Sequence, residues 1–222
     1  LPRAITFVAR YFGYTADTFE FEENTQEISE DWKIINSYKR NKEEKHSQIV
    51  NFKFYDDKIL KCLPHPHIIP WEKEGITYDI IKTRGVRYDP VNEGVVIPHY
   101  DINGNLIGIR ERTLIKENEK YGKYRPAIIN GKMYNHPLGF ALYNLNNSKE
   151  VISKFKTVIV YEGEKSCLKY ASYFGKESDI SVACCGSNLI NYQVYLLLSL
   201  GVEEIIIGFV YVIIQCSVRI SV

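Results

Sequence analysis

Several features that mark membrane and secreted proteins are missing from this sequence. No apolar run reaches the roughly 20 residues that a transmembrane helix needs, and the five cysteines lack the regular spacing of a disulfide framework. We therefore expect a cytoplasmic protein with reduced thiols and no membrane partner. An excess of either charge is also missing, because the formal net charge is +1. Any binding of nucleic acid would have to use a local basic face.

Methionine is nearly absent as well: it occurs once, at Met133, and the sequence begins with Leu1. This pattern predicts a fragment or a processed product rather than a complete reading frame. What is present is an ordinary globular composition, with 45% hydrophobic and 25% charged residues in a chain of 222. That length predicts about one and a half domains.

The first part of the chain divides into a short helix and a polar segment. Apolar side chains recur at helical spacing near the start, which predicts one helix within residues 1–14. Residues 15–64 carry an acidic patch and then a run of mixed charges, a pattern typical of a linker with a surface helix. A further small helix is predicted at 77–84, with Gly85 as its stop.

A β-hairpin is predicted in the middle of the chain. Two runs of strand-forming residues between positions 95 and 113 flank Asn103-Gly104, a dipeptide typical of tight hairpin turns. Since side chains of a strand alternate between its faces, Arg110 and Arg112 should point the same way, about 7 Å apart. A second group of basic residues follows: Lys120, Lys123, Arg125 and Lys132.

Strands and helices alternate in the last third of the chain. Strands are predicted at 157–161, 180–185 and 204–209, and helices at 164–174 and from Ser187 to Gly201. Such alternation implies a parallel sheet that helices cover on both faces. The second helix is expected to bury the apolar residues Ile190, Val194, Leu197 and Leu198.

Glu162 stands directly after the first of these strands, in the tetrapeptide Glu162-Gly163-Glu164-Lys165. Ligands of open parallel sheets bind beyond the carboxyl ends of the strands. Mg²⁺ prefers carboxylate oxygens and is usually shared with substrate phosphates, so Glu162 is a candidate metal ligand. The alternative is a solvated loop acid beside Lys165, and the tetrapeptide taken alone favours that interpretation.

The wider pattern resembles the Toprim domain and, more closely, the catalytic core of bacterial-type DNA primases in the variant of phages and other mobile elements. Strand, Glu-Gly-Glu-Lys, helix, strand, Gly-Ser, helix and the segment 201–209 carry the Toprim likeness. The segments 97–108, 122–125 and 142–145 are similar to the primase core that precedes it. The first helix resembles the one that closes the primase zinc-binding domain.

This resemblance implies an α/β fold, with a Toprim-like parallel sheet that has helices on both faces and a smaller α+β primase-core subdomain before it. The implied organisation runs as follows: a remnant helix of an upstream zinc-binding domain at 1–14, a polar linker at 15–64, the α+β subdomain at 65–150, a partial Toprim domain at 151–209 and an aberrant apolar tail at 210–222.

The resemblance also implies roles for individual residues. Glu162 would be catalytic, as a metal ligand or as an acid/base in nucleotidyl transfer, and Glu164 would be a second ligand. Mg²⁺ is the implied cofactor, with Mn²⁺ as an alternative, and zinc is expected only in the missing upstream domain. Binding of nucleotide or nucleic acid is expected of Arg110, Arg112, Lys123, Arg125, Lys165, Gly186 and Ser187.

Three positions depart from the family pattern. Ser166 stands where many primases have an acid, and Val210 and Val212 stand where an Asp-x-Asp pair belongs. No acidic residue follows Glu204, and the loss of two carboxylates should weaken Mg²⁺ binding severely. We therefore hypothesise a frameshift or a broken gene, which predicts a chain truncated at both ends and impaired in activity.

The function implied is that of a DNA primase of a phage or mobile element, which synthesises RNA primers from ribonucleotides on single-stranded DNA. A replicative helicase is a candidate partner. One alternative is another Toprim enzyme, a nuclease or a topoisomerase-like protein, although the hairpin before the sheet argues against it. Another is a non-catalytic remnant that binds single-stranded nucleic acid through the basic face.

Overall fold

The computed structural model describes residues 52–209 and the backbone of residues 216–219. The helix predicted within residues 1–14, most of the predicted linker, and the positions Val210 and Val212 lie outside the described residues. Everything described belongs to one unit of the chain, Val50–Val222. The predicted subdomain boundary at residue 150 stays a prediction.

Six α-helices and ten strands make up the described part of the chain. The helices are α1 (Lys58–Lys61), α2 (Ile69–Lys73), α3 (Tyr78–Thr83), α4 (Leu145–Phe155), α5 (Glu164–Phe174) and α6 (Asn191–Ser199). The strands are β1 (Arg87–Asp89), β2 (Gly94–Tyr100), β3 (Leu106–Thr113), β4 (Tyr124–Pro126), β5 (Ile128–Ile129), β6 (Lys132–Met133), β7 (Thr157–Tyr161), β8 (Ser181–Ala183), β9 (Glu204–Ile207) and β10 (Cys216–Arg219). Short 3₁₀ helices lie at Lys116–Tyr121, Leu138–Phe140 and Lys176–Ser178.

The predicted hairpin is confirmed as the centre of a four-stranded antiparallel sheet, in the order β1-β2-β3-β4. Its turn is held by the Asp101 carboxylate, which accepts the backbone N–H groups of Asn103 at 2.9 Å and Asn105 at 2.8 Å. Gly104 has a φ of 87°, a left-handed conformation that glycine adopts without strain. Local side-chain hydrogen bonds and one glycine therefore fix the register of β2 against β3.

The second sheet has the order β10-β9-β7-β8. Strand β7 pairs in parallel with both β8 and β9, as the alternation of strands and helices predicted, whereas β10 pairs antiparallel with β9. Val160 and Val182 pack with residues of α4 and α6, and Ala183 packs with α5 on the other side. The sheet therefore has helices on both faces, and β7 is an internal strand.

The prediction for the last helix was wrong in its start and in part of its buried face. Helix α6 begins at Asn191 rather than near Ser187, and Ile190 and Leu198 are 39% and 37% exposed. The residue that is buried instead is Gln193, whose Nε2 donates to the carbonyl oxygens of Ala141 at 2.8 Å and of Leu138 and Cys184 at 3.2 Å. These bonds require the amide to face the interior, which turns Ile190 and Leu198 towards solvent.

Residues 52–64, expected to be the end of a polar linker, contact the antiparallel sheet instead. Leu60 of α1 is buried against β2 and β3. The backbone N–H of Tyr55 donates to the carbonyl of Leu106 at 2.9 Å, and the N–H of Tyr88 donates to that of Pro64 at 2.9 Å. The polar composition gave no sign that this segment packs on the sheet, because a single buried leucine and a few backbone hydrogen bonds hold it there.

One apolar cluster extends from the first sheet to the second. It joins Ile81 of α3 and Ile97 of β2 to Leu168 of α5 and Ala183 of β8. The same boundary holds a buried ion pair, in which Arg84 Nη2 donates to Asp179 Oδ2 at 2.8 Å. Within the described residues, none of the helices combines the length and the apolar character that crossing a membrane requires.

Candidate active site

Glu162 lies at the carboxyl end of β7, immediately before α5, and its side chain is exposed. The chain passes from Glu162 through Gly163, which precedes the first residue of the helix in an extended conformation. Gly186 and Ser187 follow β8 at the same edge of the sheet and are also exposed. The sequence predicted this placement, since parallel strands put their carboxyl ends at one edge.

Glu164, only two residues later, has the opposite environment. It is fully buried, and its Oε1 accepts hydrogen bonds from Arg110 Nη1 at 2.7 Å and His99 Nε2 at 3.1 Å. Burial alone would raise the pKa of Glu164, but the hydrogen bond with His99 and the charge of Arg110 outweigh it and lower the pKa to about 2. Glu164 is therefore an ionised carboxylate that joins β2 and β3 of one sheet to the first turn of α5.

The expectation that Glu162 and Glu164 share one Mg²⁺ is not supported by these surroundings. Glu162 faces solvent, whereas Glu164 is 0% exposed and its Oε1 is already bound by two donors. The physical reason is the helical turn that begins at Glu164, which directs that side chain into the boundary between the sheets. Glu162 alone of the two has the exposure that a substrate-linked Mg²⁺ needs.

Two histidines lie beside this carboxylate. Burial lowers the pKa of His99 below its usual value, and burial with the neighbouring charges lowers that of His136 to about 3. Both rings are therefore neutral near pH 7, and their centroids are 4.7 Å apart. An ionised carboxylate can only accept hydrogen bonds. Nε2 of His99 therefore carries the ring proton and donates to Glu164.

Arg110 and Arg112 lie on the same face of β3, as the strand period predicted. Their guanidinium carbons lie 5.2 and 5.3 Å from the centre of the Tyr124 ring, within the range of cation–π attraction. Arg112 Nη1 also donates to the Tyr124 hydroxyl at 3.1 Å. In the part of the chain that the structure describes, Arg112 has no carboxylate partner, whereas Arg110 is bound to Glu164.

The remaining basic residues of the expected binding face are paired with acids. Arg125 Nη2 lies 2.9 Å from Glu111 Oε1, Lys123 Nζ 3.4 Å from Glu119 Oε2 and Lys165 Nζ 2.6 Å from Glu74 Oε2. Such pairs reduce the charge that these side chains present to a phosphate backbone. The sequence showed the cations but not their partners, and nucleic-acid binding by Lys123, Arg125 and Lys165 stays a prediction.

A cavity of about 120 Å³ opens beside these side chains. Its lining joins β3 and β4 to the segment before the second 3₁₀ helix and includes Arg110, Tyr124, Arg125, Asn135 and His136. An aromatic ring and two guanidinium groups in one concave surface suit a planar, negatively charged ligand.

No family model matches this chain. The chain is 37% identical over 211 residues to the SPbeta prophage-derived uncharacterized protein YorJ of Bacillus subtilis (strain 168), across 93% of this chain and 54% of that protein. It therefore spans about half the length of this curated relative.

Solved structures with the same architecture are bacterial primases. The zinc-binding and RNA polymerase domains of Aquifex aeolicus primase match 93% of this chain and 53% of their own, with a TM-score of 0.57 and 17% identity. The E. coli primase catalytic core matches 72% of each chain, with a TM-score of 0.50 and 14% identity. A DnaG primase catalytic domain bound to single-stranded DNA matches 68% of this chain and 60% of its own, with a TM-score of 0.51 and 16% identity. This chain has the fold of a bacterial primase catalytic core.

Within this primase fold, several site residues were not found from the sequence. His99, His136 and Cys185 surround Glu164, and none of them was singled out as a functional residue. A signal was available for His99, a titratable residue inside an otherwise apolar strand, β2. No local signal marks Cys185, because its contact with Glu164 depends on the parallel pairing of β7 with β8.

Proposed function

We propose that this chain is the core of a phage-type DNA primase that synthesises RNA primers from ribonucleotides on single-stranded DNA. The observation that carries the proposal is the exposed Glu162 at the carboxyl end of β7, within a fold shared with primase cores. The prophage origin of the relative YorJ supports the assignment to a mobile element. A replicative helicase stays a predicted partner.

Mg²⁺, with Mn²⁺ as an alternative, would supply charge neutralisation for the nucleotide phosphates in such a reaction. Glu162 is the residue that would hold it, and its exposure at the sheet edge fits that role. A hard cation needs several oxygen ligands, however, and neither the buried Glu164 nor the valines at 210 and 212, where the primase pattern has acids, supply a further exposed carboxylate. We therefore propose that this chain binds Mg²⁺ weakly.

Arg112 is the side chain best suited to hold a phosphate of the template or of a nucleotide. Tyr124 orients its guanidinium from one side, and the Trp71 ring centre lies 6.0 Å from its central carbon. A guanidinium fixed against aromatic rings keeps its remaining N–H groups aligned for bidentate binding of phosphate. Arg110 is less suited to bind a phosphate, because its guanidinium is bound to Glu164 and lies against the Tyr124 ring.

Primer synthesis tests the enzymatic proposal. The purified chain should join ribonucleotides into primers on a single-stranded template when Mg²⁺ or Mn²⁺ is present. The rate should rise as the metal concentration is raised through the millimolar range, because the site is weak. Glu162→Gln should abolish that synthesis while leaving the fold intact, since the side chain is exposed. Synthesis that persists in Glu162→Gln would remove Glu162 from the mechanism.

Binding without synthesis is the second candidate function. Two observations favour it: Val210 and Val212 stand where the primase pattern has an Asp-x-Asp pair, and aromatic rings support Arg112. In that case the chain should bind single-stranded DNA with a clear salt dependence and make no primers at any metal concentration. The two candidates therefore separate in one pair of assays on the same preparation.

A further inference from the structure

Three potential metal-binding side chains meet between the two sheets. The ligand atoms of His99, Glu164 and Cys185 all lie within 4.8 Å of one another. They come from distant parts of the chain, namely β2, the first turn of α5 and the end of β8. His99 and Glu164 are fully buried, and Cys185 is partly buried.

A second observation points to a ligand at the same place. Across residues 52–209, two buried side-chain polar atoms lack a hydrogen-bond partner, and they are Glu164 Oε2 and His136 Nε2. The His136 ring lies 4.7 Å from that of His99, so His136 lies beside the cluster of three ligands. The Cys185 thiol interacts with Glu164, but a thiol is a weak donor. The buried carboxylate is therefore poorly satisfied at Oε2, and a metal ion would satisfy it better.

We propose that His99, Glu164 and Cys185 bind a Zn²⁺ ion as its three protein ligands. Thiolate, imidazole and carboxylate are the donors that Zn²⁺ selects, and three of them leave one position of its tetrahedral shell open. Mg²⁺ is not suited to this set, because it requires oxygen ligands and keeps several waters. The proposed Zn²⁺ therefore differs in its ligands from the Mg²⁺ expected at Glu162.

Arg110 has a defined place in this arrangement. Its guanidinium donates to Oε1 of Glu164 and so leaves Oε2, the unpartnered oxygen, to face the metal. Carboxylate ligands of metals are commonly fixed by such a second hydrogen bond. Arg110 therefore orients the ligand and does not compete with the ion for the same oxygen.

The protons balance on binding. Cys185 loses its thiol proton to solvent and binds as the thiolate, and Glu164 is already ionised. His99 stays neutral, but its proton moves from Nε2 to Nδ1 so that Nε2 can coordinate. The ion adds two positive charges to two ligand anions, which leaves the charge of Arg110 as the net charge of the site.

The consequence would be structural. The three ligands tie the antiparallel sheet to the parallel sheet, so zinc binding contributes directly to folding of the unit. This role does not depend on primer synthesis, and it would hold equally if the protein only bound DNA.

Metal content and cobalt spectroscopy of the full chain test the proposal. The chain supplied with Zn²⁺ and then gel-filtered should retain an equimolar amount of zinc, and Co²⁺ in its place should show the charge-transfer band of a thiolate ligand. Cys185→Ser should abolish that band and weaken zinc binding by more than about tenfold, which is at the low end of what losing even an outer-shell partner costs. All variants are made in a Cys62→Ser background, since Cys62 is an exposed thiol.

Cys184→Ser is the matched control. Cys184 is the adjacent buried cysteine, but its Sγ lies 3.1 Å from the carbonyl oxygen of Gly186 and outside the cluster. This variant should keep both the zinc and the cobalt band. A wild-type chain without equimolar zinc would overturn the proposal. Equal losses of zinc in the two serine variants would also overturn it, and the side chains would then form only a hydrogen-bonded network.

A chelator experiment covers the case in which Cys185→Ser folds poorly. EDTA should lower the melting temperature of the wild-type chain and of Cys184→Ser, and added Zn²⁺ should restore it. A melting temperature that EDTA leaves unchanged would contradict a structural zinc ion.

Discussion

Arg110 reaches from β3 to the first residue of α5, where its Nη1 lies 2.7 Å from Oε1 of the buried Glu164. The carboxylate is thereby fixed two residues after Glu162, at the edge of the sheet where chemistry is expected. Its neighbour on the same strand face, Arg112, is left without a carboxylate among the described residues. Two arginines that look equivalent in sequence therefore have different surroundings: Arg110 is bound to a buried carboxylate, and Arg112 is bound to the Tyr124 hydroxyl.

Replacing Glu164 with Gln should destabilise the fold. The isosteric amide leaves Arg110 without its counter-charge in a largely buried position, and breaking such a pair costs about 3–5 kcal/mol. Urea unfolding monitored by circular dichroism measures the loss. Glu162→Gln is the control, expected within about 0.5 kcal/mol of wild type because the side chain is exposed. Equal effects of the two substitutions would show that Glu164 is not the buried anchor.

Stability should fall as the pH is lowered below neutrality. His136 has a folded-state pKa of about 3 and an ordinary unfolded value near 6.5, and His99 shifts in the same direction. Between those pH values the unfolded chain binds more protons at His136 than the folded chain, so His136 removes about 1.4 kcal/mol per pH unit. The lowered pKa of His99 adds to the loss in the same direction. A second loss should follow below pH 4.5, as Glu164 approaches its folded pKa of about 2.

Urea midpoints measured from pH 7.5 down to pH 4 test this dependence. In His136→Asn, which keeps a polar side chain but cannot titrate, the slope between pH 6.5 and pH 5 should be clearly smaller. A slope that is the same in wild type and in His136→Asn would mean that His136 is not buried as a neutral ring.

Arg112→Ala should weaken the binding of single-stranded DNA and reduce its dependence on salt. Losing one phosphate contact lowers the slope of log K against log salt by about 0.7 for a single strand. Fluorescence anisotropy at several salt concentrations gives both quantities, and Arg112→Lys should keep most of the slope. Lys154→Ala on α4 serves as the control and should leave the slope unchanged. An unaltered slope in Arg112→Ala would remove Arg112 from the interface.

Asp179→Asn should be strongly destabilising although it keeps the shape of the side chain. Asp179 is fully buried and accepts from Arg84 at 2.8 Å, from Asn144 Nδ2 at 2.8 Å and from the Ser181 hydroxyl at 2.6 Å. Removing the charge leaves the largely buried Arg84 unpaired, at a cost of about 3–5 kcal/mol. Thermal or urea unfolding measures the effect against Glu177→Gln, an exposed neighbour. Similar stabilities of the two variants would contradict this role of Asp179.

Much of the fold could be predicted from particular local signals. Asn103-Gly104 predicted the hairpin, and the β-branched run before Glu162 predicted a parallel strand. Both are confirmed. Helix α6 shows where this reasoning fails. Its apolar residues suggested a buried face, but the hydrogen bonds of Gln193 to three carbonyl groups outside the helix turned that face.

The sequence by itself determined the β2–β3 hairpin with its turn, the parallel strands β7, β8 and β9, and that Glu162 follows one of these strands, because periodicity and turn chemistry act between near neighbours. Only the tertiary structure decided that Glu164 is buried and that Arg110 and His99 are its partners. These partners lie 54 and 65 residues away in the chain. Which side chain a charge meets depends on how the two sheets pack, and no local pattern encodes that contact.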